Sequence, residues 1–135
     1  MYLRIKEADM HWFSIGVAGL VSLGIIFVGI RYLTNPRTMA PSFGLPVPAE
    51  GANIAWWLRL KGVRDITSGV LTLAVMAWDG HQTLGVVLLV EALIPIGDMS
   101  NVLAAKGSTG HAFGIHGATA VLMILGAIPL ITGAA

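Results

Sequence analysis

The feature that most constrains this chain is a run of 19 residues without a charged side chain, residues 12–30. An α-helix rises ~1.5 Å per residue, so the run nearly matches the ~30 Å hydrocarbon core of a bilayer. A cleavable signal peptide is the alternative, but its apolar region is only ~7–15 residues long and follows a positively charged tail. The tail here mixes two acidic with two basic residues. The sequence therefore predicts a first membrane-spanning helix at about residues 12–33.

Charged residues are scarce throughout the chain, at 11% of 135 residues, against about 25% in soluble domains. Three more segments are long and apolar enough for further spans, at about residues 54–78, 83–104 and 111–132. The first of these has four charged residues in its first half, and its Trp residues suit the two bilayer interfaces. We therefore expect an all-α polytopic membrane protein, a single domain over 1–135 with four transmembrane helices in an antiparallel bundle.

A long segment, residues 34–53, separates the first two predicted spans. Its four Pro and two Gly exclude a continuous helix and predict a Pro-rich loop. We expect this segment to form a cap that packs against the bundle and buries its apolar side chains. The alternative is a mobile connector between the two spans. Those apolar residues are Met39, Phe43, Leu45 and Val47. Turns containing Gly at 79–82 and 106–110 make the later helices antiparallel neighbours.

Antiparallel neighbours allow the depth of a residue to be read by reflection through the connecting turn. Reflection places Arg64 level with Asp98, and His116 level with Met99. A charged side chain at the bilayer centre costs at least ~2.5–3.5 kcal/mol, so such groups pair or reach water. We therefore expect Arg64 to pair with Asp98, and His116 to hydrogen-bond into the same network with Asp65 beside it. A purely structural ion pair and an ordinary core histidine are the alternative interpretations.

Glu91 lies seven residues before Asp98 on the same predicted helix, about 10 Å deeper in the bilayer. No cation is in register with it, so we expect the neutral acid. Its level on the preceding helix is Val70, next to Gly69, where a missing side chain leaves room for the carboxyl group or for a ligand. A protonatable carboxyl group in this position is a candidate for proton donation or proton transport.

These groups define a candidate site beneath the long loop. Its candidate acid–base groups are Glu91, Asp98 and His116. Its expected ligand contacts are Arg64, Asp65, Asn101 and Phe43. Asn101 has an alternative role in bridging helices. Arg59 and Lys61 are expected to anchor their helix at the membrane interface.

Several classes of function are excluded or disfavoured. The chain has no Cys, which excludes disulfides, thiolate metal sites and thiol catalysis. No phosphate-binding loop or dinucleotide fingerprint occurs, and a net charge of +1 without a basic stripe leaves no footprint for nucleic acid. His111 and His116 are five residues apart, which directs them to different sides of a helix, so no metal and no cofactor are expected.

The stretch RLKGVRDITSG, residues 59–69, follows a Pro-rich loop that contains Phe43 and Gly44. This combination resembles an uncharacterised family of small four-helix integral membrane proteins of bacteria and fungi, akin to the DoxX-like proteins. The resemblance covers nearly the whole chain, and its distinctive part is the Gly-Val-Arg-Asp stretch. It implies a four-helix membrane bundle with a loop after the first helix. It marks Arg64 and Asp65 as the signature pair and implies no particular reaction.

Three functions are compatible with these residues. The first is binding of a lipophilic small molecule in an intramembrane polar pocket, reached from the side of the long loop or laterally from membrane lipid, with acid–base isomerisation or cyclisation as the corresponding chemistry. The second is a small proton-coupled transporter, in which Glu91 carries the proton and a homodimer forms the path. The third is an accessory or structural subunit of a larger membrane complex, which requires no chemistry.

The distribution of Lys and Arg predicts the orientation of the chain. On the side of the long loop lie Arg31, Arg37, Arg59, Lys61 and Lys106, and on the other side lie Arg4 and Lys6. Cytoplasmic loops carry an excess of basic residues. We therefore expect a cytoplasmic long loop and both termini outside.

Overall fold

The computed structural model describes residues 2–78 and 80–134, with side chains from residue 8 onward. Asp79, which belongs to a predicted turn, lies outside the described residues. The described part of the chain is helical and contains no strand, which confirms the predicted all-α class. The helices are α1 (Tyr2–Thr34), α2 (Pro36–Met39), α3 (Ile54–Trp78), α4 (His81–Glu91), α5 (Leu93–Ala104), α6 (Thr109–His111) and α7 (Ala118–Thr132), with a 3-10 turn at Ala40–Phe43 and a π-helical segment at Ala112–Gly117.

Three helices in the described residues are long and apolar enough to cross a membrane, as expected of an integral membrane protein. They are Ala8–Thr34, His81–Ala104 and Thr109–Thr132, of 27, 24 and 24 residues; the last is called the C-terminal helix below. Helix α3 is as long, but it does not meet this standard of apolarity because of the charged residues in its first half.

Two interruptions lie within the long helices. Between α4 and α5, the helix is broken at Ala92, three residues before Pro95. Pro95 has no N–H to donate to the carbonyl of Glu91, and its ring crowds that carbonyl. In the C-terminal helix, Ala112–Gly117 widens into a π-helical segment, a form that occurs mostly as short bulges and often at functional sites. The composition of the apolar segments did not predict either interruption.

Helices α1 and α3 approach so closely that their backbones touch at glycines. A Cβ atom on Gly62 would lie 2.7 Å from the carbonyl oxygen of Gly29, and one on Gly69 would lie 2.6 Å from that of Ser22. The numbering of these contacts runs in opposite directions, so α1 and α3 are antiparallel. Small residues allow such close packing where lipid-like surroundings give no hydrophobic drive for association.

The apolar core lies at one end of the molecule, between α1, α4 and α7. Its buried residues are Ala18, Leu84, Leu88, Ala92, Met123, Ala127 and Leu130. The chain near Tyr32, Phe43 and His116 lies at the opposite end, where these side chains and their carbonyl partners meet. This second end contains the hydrogen-bonded side chains of Tyr32 and His116.

The predicted Pro-rich loop is helical in its first part. Pro36 begins a short helix, where a missing N–H is harmless, and the 3-10 turn that follows ends at Gly44, whose φ of 94° suits glycine. Beyond Gly44 the chain is irregular and exposed. The prediction that Leu45 and Val47 pack against the helices is wrong, since both are exposed.

Candidate functional site

A cavity of about 570 Å³ lies beneath the segment Pro36–Gly44 and between α1, α3, α5 and the C-terminal helix. This volume lies within the range of about 300–1,000 Å³ that is usual for small-molecule sites. Its apolar wall includes Val21, Ile25, Val28, Ile94, Leu122 and Met123. Its polar side chains include Tyr32, Ser42, Lys61, Glu91, Asp98 and His116. The cavity therefore combines a wide apolar surface with a small number of polar groups.

The segment Pro36–Gly44 forms a cap over the cavity, and hydrogen bonds fix it at three points. The Tyr32 hydroxyl donates to the Met39 carbonyl oxygen at 3.1 Å. The His116 Nε2–H donates to the Phe43 carbonyl oxygen at 2.8 Å. The Ser108 backbone N–H donates to the Gly44 carbonyl oxygen, also at 2.8 Å. The three donors belong to three different parts of the fold. The expected packed cap is therefore present for Pro36–Gly44.

A row of charged side chains connects α3 to α5 beside the cavity. Asp65 is 1% exposed and forms ion pairs with Lys61 and with Arg64, the latter at 3.5 Å. Arg64 Nη2 also lies 3.4 Å from Asp98 Oδ2, which confirms the predicted pairing of these two residues. Since the Arg64 side chain is 48% exposed, this pair is more open than expected. Each of the two cations has a carboxylate partner.

Lys61 has a different place from the one predicted. Its side chain is largely buried, points into the cavity, and places Nζ 4.7 Å from the centre of the Tyr32 ring and 5.2 Å from that of Phe43. The faces of aromatic rings attract cations, more strongly where water is excluded. The sequence signal for this role was Asp65 at the i+4 position, where a Lys and an Asp on one helix meet.

Glu91 lies farther from the cap and accepts a hydrogen bond at Oε2 from the Thr72 hydroxyl at 2.6 Å. The sequence indicated no partner for Glu91 beyond the absence of a cation in register, and in the structure a neutral donor on α3 takes the role of partner. Ser22, on α1, also lines the cavity and is 2% exposed. Its hydroxyl oxygen has no hydrogen-bond partner among the described residues, although buried polar groups are nearly always paired.

The residues expected in the site fall into two groups. Those that line the cavity are Glu91, Asp98, His116 and Phe43. Arg64 and Asp65 contact the lining residues without lining the cavity, and Asn101 is exposed and outside it. The prediction that His116 joins the Arg64 and Asp98 network is wrong, since its Nε2–H bonds the cap instead. Among the described residues, no group of three His, Asp or Glu side chains is placed to hold a metal ion.

Comparison with known proteins gives a family and one relative of stated activity. The glycerol-3-phosphate acyltransferase of Paramagnetospirillum magneticum is 31% identical over 104 residues, which make up 76% of this chain and 51% of that protein. The chain thus spans about half the length of this relative. No solved structure matches the chain. Residues 22–130 match the family described as Domain of unknown function (DUF4267), and this range contains the cap and every cavity residue named above except Val21. The chain belongs to the DUF4267 family.

Proposed function

We propose that this protein binds a lipophilic small molecule in the cavity beneath the cap. The observation that carries this proposal is the cavity itself, which is about 570 Å³ in volume, largely apolar, and edged by a few polar groups held by hydrogen bonds. An accessory subunit would have no use for such a cavity. A transporter would need a path to both faces of the membrane, whereas the fixed cap covers one end of this cavity.

The proposal includes α3 as a fourth membrane span in an antiparallel bundle. Of the four charged side chains of α3, Asp65 is buried and Lys61 points into the cavity. Arg64 is half exposed and lies between two carboxylates, and Arg59 donates to the Leu33 carbonyl oxygen. Each therefore has a partner, as charges within a membrane must have. We also propose that this chain is related to the DoxX-like proteins, as the Gly-Val-Arg-Asp stretch suggests. With α3 as a fourth span, the chain would share their four-helix arrangement and their loop after the first helix.

Reporter fusions test the number of spans and their orientation. Four spans place the two termini on the same side of the membrane, whereas three place them on opposite sides. The Lys and Arg distribution puts both termini outside and the cap in the cytoplasm. A reporter that is active only in the cytoplasm should therefore be inactive at either terminus and active when inserted at Gly51, in the exposed part of the loop. Termini on opposite sides would contradict a spanning α3.

Ligand binding is tested on protein purified in a mild detergent. Native mass spectrometry should find an apolar molecule retained by the wild-type protein, and a fluorescent lipophilic probe should bind when that molecule is removed. Ile25→Trp fills the cavity from α1 and should abolish both signals. Leu23→Trp is the matched control, because Leu23 is also on α1 but is exposed and outside the cavity. Equal binding by both variants would refute the proposal.

Acid–base chemistry on the bound molecule is the second candidate function. The specific observation in its favour is that Glu91, Asp98 and His116 all line the same cavity. A carboxyl group and an imidazole can exchange protons with an apolar substrate from which water is excluded. The cavity does not suit the substrate named for the acyltransferase relative. Glycerol 3-phosphate carries a phosphate, and Lys61 and Arg64 are already paired with carboxylates.

A further inference from the structure

Some of the residues that line the cavity are exposed on the side of the molecule. Helix α1 and the C-terminal helix touch where a Cβ atom on Gly126 would lie 2.8 Å from Val17. Closer to the cap, residues of both helices line the cavity, and the surface between these residues is called the lateral slit. The facing residues in this lateral slit all line the cavity: Leu20, Gly24 and Val28 from α1, and Ile115, Thr119 and Leu122 from the C-terminal helix. Leu20 is 68% exposed and Ile115 is 48% exposed. The slit therefore connects the cavity with the surface of two membrane-spanning helices.

The polar end of the cavity is balanced in charge. Lys61 and Arg64 are matched by Asp65 and Asp98, so an ionised ligand would bring an unpaired charge into an apolar site, which is costly. Hydrogen-bonding capacity is left over, however. An ammonium group has three donors, and the only hydrogen bond of Lys61 among the described residues goes to Asp65.

The remaining acceptor is on the imidazole. His116 Nε2 carries a proton, because its partner is the carbonyl oxygen of Phe43, which can only accept. In the neutral ring, Nδ1 is therefore an acceptor, and it has no hydrogen-bond partner among the described residues. A ligand hydroxyl group can accept from Lys61 and donate to His116 or Asp98. A carboxylate can only accept, and an ammonium group can only donate.

We propose that the ligand is an uncharged amphiphile, a hydrocarbon chain with a hydroxyl head; this inference rests on the proposed function. The molecule enters from the bilayer through the lateral slit. Its head lies beneath the cap near Lys61 and His116, and its chain lies along Val21, Ile25 and Ile94 toward the slit. Entry from the side requires no opening of the cap, which agrees with the three hydrogen bonds that hold it.

The head group is tested with three ligands of equal chain length: hexadecanol, hexadecanoate and hexadecylamine. Each competes with a fluorescent lipophilic probe for wild-type protein in detergent. Hexadecanol should displace the probe with an affinity about tenfold above either charged ligand, a difference of ~1.4 kcal/mol. Tighter binding of hexadecanoate or hexadecylamine would overturn the uncharged head while leaving the proposed function intact. If neither the probe nor any of the three ligands binds, the proposed function itself is overturned.

The route of entry is tested with two glycines of α1. A Cβ atom on Gly24 or on Gly16 would meet nothing within 4 Å, but only Gly24 borders the slit. The rate constant for uptake of hexadecanol from lipid vesicles, measured relative to the final amount bound, should be about tenfold lower for Gly24→Phe than for the control Gly16→Phe. Equal rate constants for the two variants would refute lateral entry.

Discussion

Substitution of Gly62 by Ala tests whether α1 and α3 are held together by direct backbone contact. A Cβ atom at this position would lie 2.7 Å from the Gly29 carbonyl oxygen and 3.1 Å from the Tyr32 Cβ. The first distance is about 0.7 Å shorter than the 3.4 Å at which ordinary contact begins. A backbone oxygen cannot rotate away, so the helices must separate. Overpacking of this kind costs ~1–3 kcal/mol.

A matched control separates this clash from the intrinsic preference of Ala for helices. Replacing Gly by Ala within a helix contributes up to ~1 kcal/mol of stability. Gly16→Ala, at a site on α1 with open space around it, receives only that gain. The free energies of unfolding of the two variants should therefore differ by ~1–3 kcal/mol, in favour of Gly16→Ala.

Thermal unfolding in detergent measures this difference. For a chain of this length, 1 kcal/mol corresponds to about 4 °C in Tm, so Gly62→Ala should unfold roughly 4–12 °C below Gly16→Ala. Equal Tm values for the two variants would refute the close approach of α1 and α3 at this position. The cavity lies partly between these helices, so a separation there should also weaken probe binding by Gly62→Ala.

Three further substitutions test the cap, the charged row and the carboxyl group. Tyr32→Phe removes one of the three hydrogen bonds of the cap, so stability should fall by ~0.5–1.5 kcal/mol and limited proteolysis between Pro36 and Gly44 should become faster; unchanged cleavage would mean that the other two bonds suffice. Asp65→Asn leaves Lys61 without its carboxylate and should lower the free energy of unfolding by ~3–5 kcal/mol. Denaturant unfolding of the double variant Asp65→Asn, Lys61→Met should show that this stability is recovered. Glu91→Gln keeps an oxygen that accepts from Thr72, so Tm and hexadecanol affinity should be retained while any acid–base turnover is lost; full turnover by this variant would exclude Glu91 as the acid or base.

The sequence predicted the depth of residues along the helices better than the direction in which their side chains point. Reflection through the turn placed Arg64 level with Asp98, and the two are paired at 3.4 Å. Antiparallel helices keep residues at similar distances from their turn, and the interruption at Ala92 does not change this depth enough to separate the pair. Reflection carries no information on rotation about the helix axis. His116 lies on a π-helical segment, where the backbone turn is wider, and its Nε2–H bonds the Phe43 carbonyl oxygen instead of Asp98.

Other parts of the site depend on contacts between distant segments. The Pro and Gly content predicted that residues 34–53 form no continuous helix, but not that Tyr32, His116 and Ser108 hold the first part of this segment. Lys61 was expected at the interface because a lysine near a helix end can extend to water. In the fold, the Lys61 side chain points into the cavity instead, because Asp65 and two aromatic rings stabilise its charge there.

The two interruptions in the long helices divide the molecule into a regular base and an irregular top. At the base, α4 and α7 pack against each other around the apolar core. At the top, α5 follows the interruption at Ala92 and rests on the π-helical segment, and the Arg64 to Asp98 pair links it to α3. Pro95 leaves the Glu91 carbonyl without its helical hydrogen bond, so we expect α5 to shift more easily than the base. The cavity would then adapt its width to the proposed ligand and tolerate branching of the hydrocarbon chain.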